Sequence, residues 1–236
     1  MSIAALDGLS PEDVAARLRC PEARVALIRD GAMAGVAEAQ AVWGQMLLDD
    51  GDPVSALGWF TRAAAQHHLM ALNMVGRCYD LGWGAPIDKA RAAACYRIAA
   101  ERGLVEAMYN HATLLTLGAG VGQDRPAALA FFERAAAAGY AKAANYVGSF
   151  AEDGWVHPRD MMRAMACYRM AAEGGDFRGA FNLARLLGDE GRVDEALTWI
   201  ARVRDWGTPA FVAKAQGWLA HSPIARFRTE GVAALC

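Results

Sequence analysis

The residue types able to do chemistry are few in this chain, and their spacing is poor for it. The five histidines are His67, His68, His111, His157 and His221. Only the first two are neighbours, and adjacent side chains on a helix point in different directions, so they cannot share one ion. No third ligand lies near them in sequence. Histidine tolerates positive φ better than most residues, so His67-His68 reads as a turn variant rather than a metal pair. No H-E-x-x-H segment, paired-acid motif or nucleophile elbow appears. The adjacent acids Glu152-Asp153 read as the exposed end of a helix. Gly118-Ala119-Gly120-Val121-Gly122 has the glycines of a phosphate loop but neither its lysine nor its hydroxyl, and no strand precedes it. The expectation is no catalytic residue, no metal and no cofactor.

The cysteines agree. Cys20, Cys78, Cys95, Cys167 and Cys236 include no C-x-x-C pair, and their number is odd. Free thiols in a reducing compartment are expected. The remaining candidates are residues that bind. Trp83 and Trp155 stand beside glycines in two loops at equivalent positions. Each ring either covers its own hairpin end or anchors a partner, a role in which interfaces favour tryptophan.

The elements that must position these residues repeat. Residues 71–106, 107–142 and 143–178 are three blocks of 36 residues that align without a gap, which points to a solenoid. In the middle block, Ala107, Ala112, Leu114, Leu115 and Leu117 form an apolar segment ending at Gly118. A glycine-rich loop follows, then Asp124 as an N-cap with Pro126 just inside the next helix. Ala128, Leu129, Phe131, Phe132, Ala135 and Ala136 recur at helical spacing until Gly139. Each block is therefore a helix, a loop, a second helix and a turn. Helix ends are expected at Gly35, Gly103, Gly139, Gly175 and Gly207, with His67 taking that place once.

Small and large residues alternate in register. Gly44, Gly76, Ala112, Gly148 and Ala184 share one position on the first helix. Phe60, Tyr96, Phe132, Tyr168 and Ile200 share one on the second, 16 residues later in the outer blocks and 20 in the middle three. A small residue lets the second helix approach, and the ring fills the space beside it. Two shorter outer blocks, 39–70 and 179–207, complete a region of five repeats over 36–207. Residues 1–35 are expected to form N-terminal capping helices, beginning with a helix capped by Ser10-Pro11. Residues 208–236 are expected to form a C-terminal capping helix opened by Thr208-Pro209, with a frayed or loosely docked tail.

The pattern carried by Ala71, Gly76, Tyr79, Gly82, Gly84, Asp88, Tyr96, Arg97, Ala99, Ala100, Glu101 and Gly103 resembles the Sel1-like repeat, a relative of the tetratricopeptide repeat. The resemblance implies an all-α fold, a right-handed α/α superhelical solenoid that serves as an adaptor and is not an enzyme. In that superfamily the first helices line a concave groove. Carried over position by position, the groove residues are Asn73, Arg77 and Asp80; Tyr109, Thr113 and Thr116; Asn145, Ser149 and Glu152; and Arg178, Phe181 and Arg185. Asparagine offers a peptide backbone both a donor and an acceptor, and the two arginines suit a carboxylate. Residues 73–79 and 173–179 are also similar to bacterial Sel1-like proteins encoded beside iron-dependent dioxygenases, which implies an oxygenase partner that carries its own iron. An immunity- or inhibitor-type binder and an enzyme of unrecognised type are the alternatives.

A formal charge of −2 gives no reason to expect nucleic acid. No apolar run reaches membrane-spanning length, and residues 1–9 lack a basic start and a long apolar core. A cytoplasmic protein with a protein or peptide partner is expected.

Overall fold

The computed structural model describes residues 19–236, together with Ser10, Glu12 and Ala15. Most of the N-terminal helix expected from Ser10-Pro11 onwards lies outside the described residues. The chain divides into two compact units, residues 1–123 and 124–236, and among the described residues every regular element is helical.

The first unit contains α1 (Pro21–Met33), α2 (Ala37–Asp49), α3 (Pro53–Ala65), α4 (Leu69–Leu81), α5 (Lys89–Glu101) and α6 (Val105–Leu117). Each packs on the next in chain order. The second contains α7 (Arg125–Ala137), α8 (Ala141–Asp153), α9 (Met161–Glu173), α10 (Phe177–Asp189), α11 (Val193–Trp206) and α12 (Pro209–Ala220), then a π-helical turn Phe227–Gly231 and α13 (Val232–Ala234). The all-helical repeat architecture expected from the sequence is the one observed.

Local chemistry sets the helix starts. Asp52, Asp88, Asp124 and Asp160 each accept the backbone N–H three residues on, capping α3, α5, α7 and α9. Asp176 and Thr208 do the same for α10 and α12. His67 has φ 66°, as its place in the turn series requires. His68 caps α4 in a less usual way. Its Nδ1 accepts the Ala71 N–H at 3.0 Å, and its Nε2 lies 2.7 Å from the Glu38 carboxylate. Both ring nitrogens are thus occupied, Nδ1 accepting the cap N–H and Nε2 facing the Glu38 carboxylate. Gly207 ends α11 as expected, but at φ −77°, ψ 151°, in extended backbone, unlike the positive φ of Gly35, Gly103, Gly139 and Gly175. The chain there must enter the Thr208-Pro209 cap, and an extended residue leads into it directly.

The small-to-ring pairing is direct. A Cβ added at Gly44 would sit 2.9 Å from the Phe60 ring, at Gly76 2.7 Å from Tyr96, and at Gly148 2.6 Å from Tyr168. These contacts lie below any normal carbon separation, so glycine is what brings each pair of helices together. The rings of Phe60, Tyr96 and Tyr168 are buried at the centres of their hairpins.

Of the two expected states of the C-terminal tail, frayed or loosely docked, the structure shows docking, and with buried anchors. Phe227 and Leu235 are buried in one cluster with Leu187, Ile200 and Leu219. Gly188 makes room for the Phe227 ring, which a Cβ there would meet at 2.5 Å. Arg228 donates to the carbonyls of Ser222 and Pro223 at 2.7 and 3.1 Å. The driving force is the apolar end of α11 and α12, which the tail covers.

Candidate functional site

In the first unit the expected groove residues divide into buried and accessible. Asn73 is buried, and its Oδ1 accepts from Asn110 Nδ2 at 2.9 Å. Thr116 is buried and donates to the Ala112 carbonyl at 2.8 Å. Thr113 donates to the Tyr109 carbonyl at 2.9 Å. Asp80 is held by Lys89 Nζ and by the Tyr96 hydroxyl, the latter at 3.3 Å. Arg77 is different: its guanidinium lies over the Trp83 ring, 4.8 Å from its centroid. It also donates a weak hydrogen bond to Met74 Sδ at 3.6 Å.

The second unit shows the same division. Asn145 is buried and accepts from Asn182 Nδ2 at 2.9 Å. Glu152 is not the exposed helix end expected of Glu152-Asp153. It accepts the Tyr168 hydroxyl at 2.7 Å and Arg185 Nη2 at 2.6 and 2.7 Å through its two oxygens. Burial pushes the Glu152 carboxyl up, but the hydrogen bonds from Arg185 and Tyr168 outweigh this, and its pKa falls below the usual carboxylate range. The Tyr168 hydroxyl also lies 3.2 Å from Ser149 Oγ. Arg185 is therefore already committed to a carboxylate within its own unit.

Arg178 is exposed. Its guanidinium lies 4.5 Å from the Phe177 centroid and 5.9 Å from that of Phe211. Phe181 meets Phe211 edge-on at 5.8 Å and Trp218 at 5.5 Å. Trp218 is 39% exposed. The result is a shelf of aromatic rings on α10 and α12, topped by a cation that is stacked on rings and makes no ion pair among the described residues. Phe211 and Trp218 were absent from the expected site, because they lie on the capping helix, outside the repeat register from which the site was transferred.

The two loop tryptophans sit differently. Trp83 is half-buried against the cluster of Phe60, Val75 and Cys78. Trp155 is 38% exposed, edge-on to Phe150 at 4.9 Å and beneath the guanidinium of Arg125 at 4.9 Å. Among the described residues no group of three or more histidine, cysteine, aspartate or glutamate side chains is placed to hold a metal ion. No described helix is long and apolar enough to cross a membrane. Burial raises the Cys78 thiol to about 11 and pushes Cys95 and Cys167 up as well, so these thiols are poor nucleophiles.

The Sel1 repeat pattern matches residues 37–68, 69–104, 105–140 and 141–176, more than half of the chain. The chain belongs to the Sel1 repeat family. Among solved structures it is similar to c5321, a protective antigen of uropathogenic Escherichia coli with an SLR fold. The identity is 25% and the TM-score 0.71, over 90% of this chain and 47% of that one. A Sel1 repeat protein from Oxalobacter formigenes matches at 24% identity and TM-score 0.72, over 85% of this chain and 59% of that one. The chain thus spans about half the length of these two proteins. The immunity protein Pa5087 from Pseudomonas aeruginosa shares the fold at 16% identity and TM-score 0.55, over 84% of this chain and 75% of that one. Sel1 repeats generally mediate contacts between proteins, and the scaffold is typically non-catalytic.

Proposed function

We propose that this Sel1 repeat chain is a cytosolic adaptor whose second unit binds a partner protein on the shelf formed by Arg178, Phe181, Phe211 and Trp218. The observation that carries this reading is the state of the two arginines. Arg185 is spent on Glu152, whereas Arg178 is exposed, held in place by Phe177 and Phe211, and free of any acidic partner among the described residues. A stacked arginine beside half-exposed aromatic rings is the composition that dominates interface energetics. Holding the side chain in advance also lowers the entropy lost on binding. Five cysteines that form no disulfide and an even mixture of charges are consistent with a cytosolic protein.

The partner class we propose is an iron-dependent oxygenase, which would supply its own metal. Capture from native cell extract tests both levels, with the wild type beside Arg178→Glu/Trp218→Ala and a Met162→Ala surface control. A protein held by the wild type and the control but lost from the double variant supports the shelf. Iron in the captured protein supports the oxygenase reading, and a captured toxin that the chain inactivates supports the inhibitor reading instead. Equal capture by all three chains removes the shelf as the binding surface.

A further inference from the structure

A second feature lies in the first unit, at the short turn between α2 and α3. There the chain crosses between helices in four fewer residues than in the next repeat. The longer loop of that next repeat leans over the shortened one. A Cβ at Gly84, which has φ +75°, would lie 2.1 Å from the Pro53 carbonyl oxygen, so backbone meets backbone there. Trp83, the residue before, overhangs the space left by the missing residues. The outcome is an open cleft of about 570 Å³, with Leu48, Pro53 and Trp83 as its apolar surface and Arg77, Gln45 and Asp49 as its polar groups.

The charges in this cleft are unequal in what they still offer. Asp49 accepts from Gln45 Nε2 at 2.7 Å, which fixes both on one wall. Arg77 is fixed by stacking on Trp83, makes no ion pair among the described residues, and has only the weak Met74 contact as a hydrogen bond. A guanidinium oriented in this way suits one carboxylate. Asp49 on the other wall repels a second negative charge and accepts an N–H. One apolar residue at a chain terminus meets all three demands at once. Its α-carboxylate pairs with Arg77, its side chain covers Leu48, Pro53 and Trp83, and its amide N–H reaches Asp49 or Gln45.

We propose that this cleft binds the C-terminal residue of a partner protein, selecting an apolar side chain with a free carboxylate and rejecting an acidic residue just before it. The proposal rests on the adaptor reading but uses a different unit and different residues, so the two fail separately. The test is fluorescence anisotropy of the full chain with labelled hexapeptides of neutral sequence ending in Leu or Phe. Each is compared with its C-terminal amide and with a version carrying Glu at the penultimate position. The free acid is expected to bind at least tenfold tighter than the amide and several-fold tighter than the penultimate-Glu peptide. Arg77→Gln should abolish the difference between acid and amide, with helicity checked by circular dichroism. Asp49→Asn should restore binding of the penultimate-Glu peptide, a gain of function that a misfolded protein cannot show. Equal binding of acid and amide, or no binding of any peptide by the wild type, overturns the proposal. Either result leaves the Arg178 shelf standing, because capture by that surface is read with a different variant.

Discussion

At the scale of single residues, the repeats show a rule that joins two positions. Where the buried ring carries a hydroxyl, the residue four beyond the small position on the first helix is an acid: Tyr96 with Asp80 and Tyr168 with Glu152. Where the ring is phenylalanine, the same place holds Thr116 or Leu48. A buried hydroxyl left without an acceptor costs more than the hydrogen bond contributes, so the pair must change together. Tyr168→Phe and Glu152→Ala should therefore be coupled. Each alone is expected to destabilise, Glu152→Ala more because Arg185 also loses its partner, and the double variant should cost less than their sum by about 0.5–3 kcal/mol. Urea unfolding of the four proteins measures this, and strict additivity would show that the pair does not act as a unit.

His111 belongs to the same scale. It is buried, and its pKa is lowered first by burial and then by the nearby Arg97, against a smaller opposing effect of Glu101. A base whose folded-state pKa is depressed takes up its proton more readily when unfolded. Its stabilisation is complete above the ordinary histidine pKa of about 6.5 and declines as pH falls from there towards the lowered folded value. The melting temperature of the wild type should drop on acidification from pH 7 through this window, and that of His111→Gln should drop less. Identical slopes would place the acid sensitivity elsewhere.

At the scale of elements, the glycines of the loops and the docked tail show how neighbours complete one another. Gly120, like Gly84, has positive φ, and a Cβ there would lie 2.1 Å from the Lys89 carbonyl carbon at the start of α5. The sequence motif records that glycine is needed. The reason, a helix N-terminus from the preceding repeat pressed against the loop, appears only in three dimensions. The tail makes a stronger claim. Phe227 fills space that Gly188 leaves open and is buried with Ile200 and Leu219. Phe227→Ala is expected to destabilise by roughly 3–5 kcal/mol, whereas exposed Thr229→Ala should change little, within about 0.5 kcal/mol. Thermal unfolding distinguishes them, and a tail that merely frays would make the two variants alike.

At the scale of the whole molecule, the repeated blocks were legible because each is a local unit whose helix signals, caps and small-to-ring spacing recur every 36 residues. Aspartate caps and the turn conformation of His67 need only neighbours along the chain, so the sequence reports them. A further signal lay at twice that period: Asn73 and Asn145 recur 72 residues apart, as do Asn110 and Asn182. The structure makes each a cross-repeat amide pair. Read only one repeat at a time, Asn73 and Asn145 looked available to a partner. Which polar residues are spent internally depends on what the adjacent helix presents, as with Arg185 on Glu152. The sequence alone determined the all-helical repeat, its register, its caps and the need for small residues under the rings. Only the tertiary structure decided that, of the three expected groove arginines, Arg185 is ion-paired while Arg178 and Arg77 make no ion pair among the described residues, that the capping helix brings Phe211 and Trp218 beside Phe181, and that the tail closes the last hairpin. Local propensity and periodicity are properties of the chain, whereas burial and hydrogen-bond satisfaction are settled by groups far apart along it.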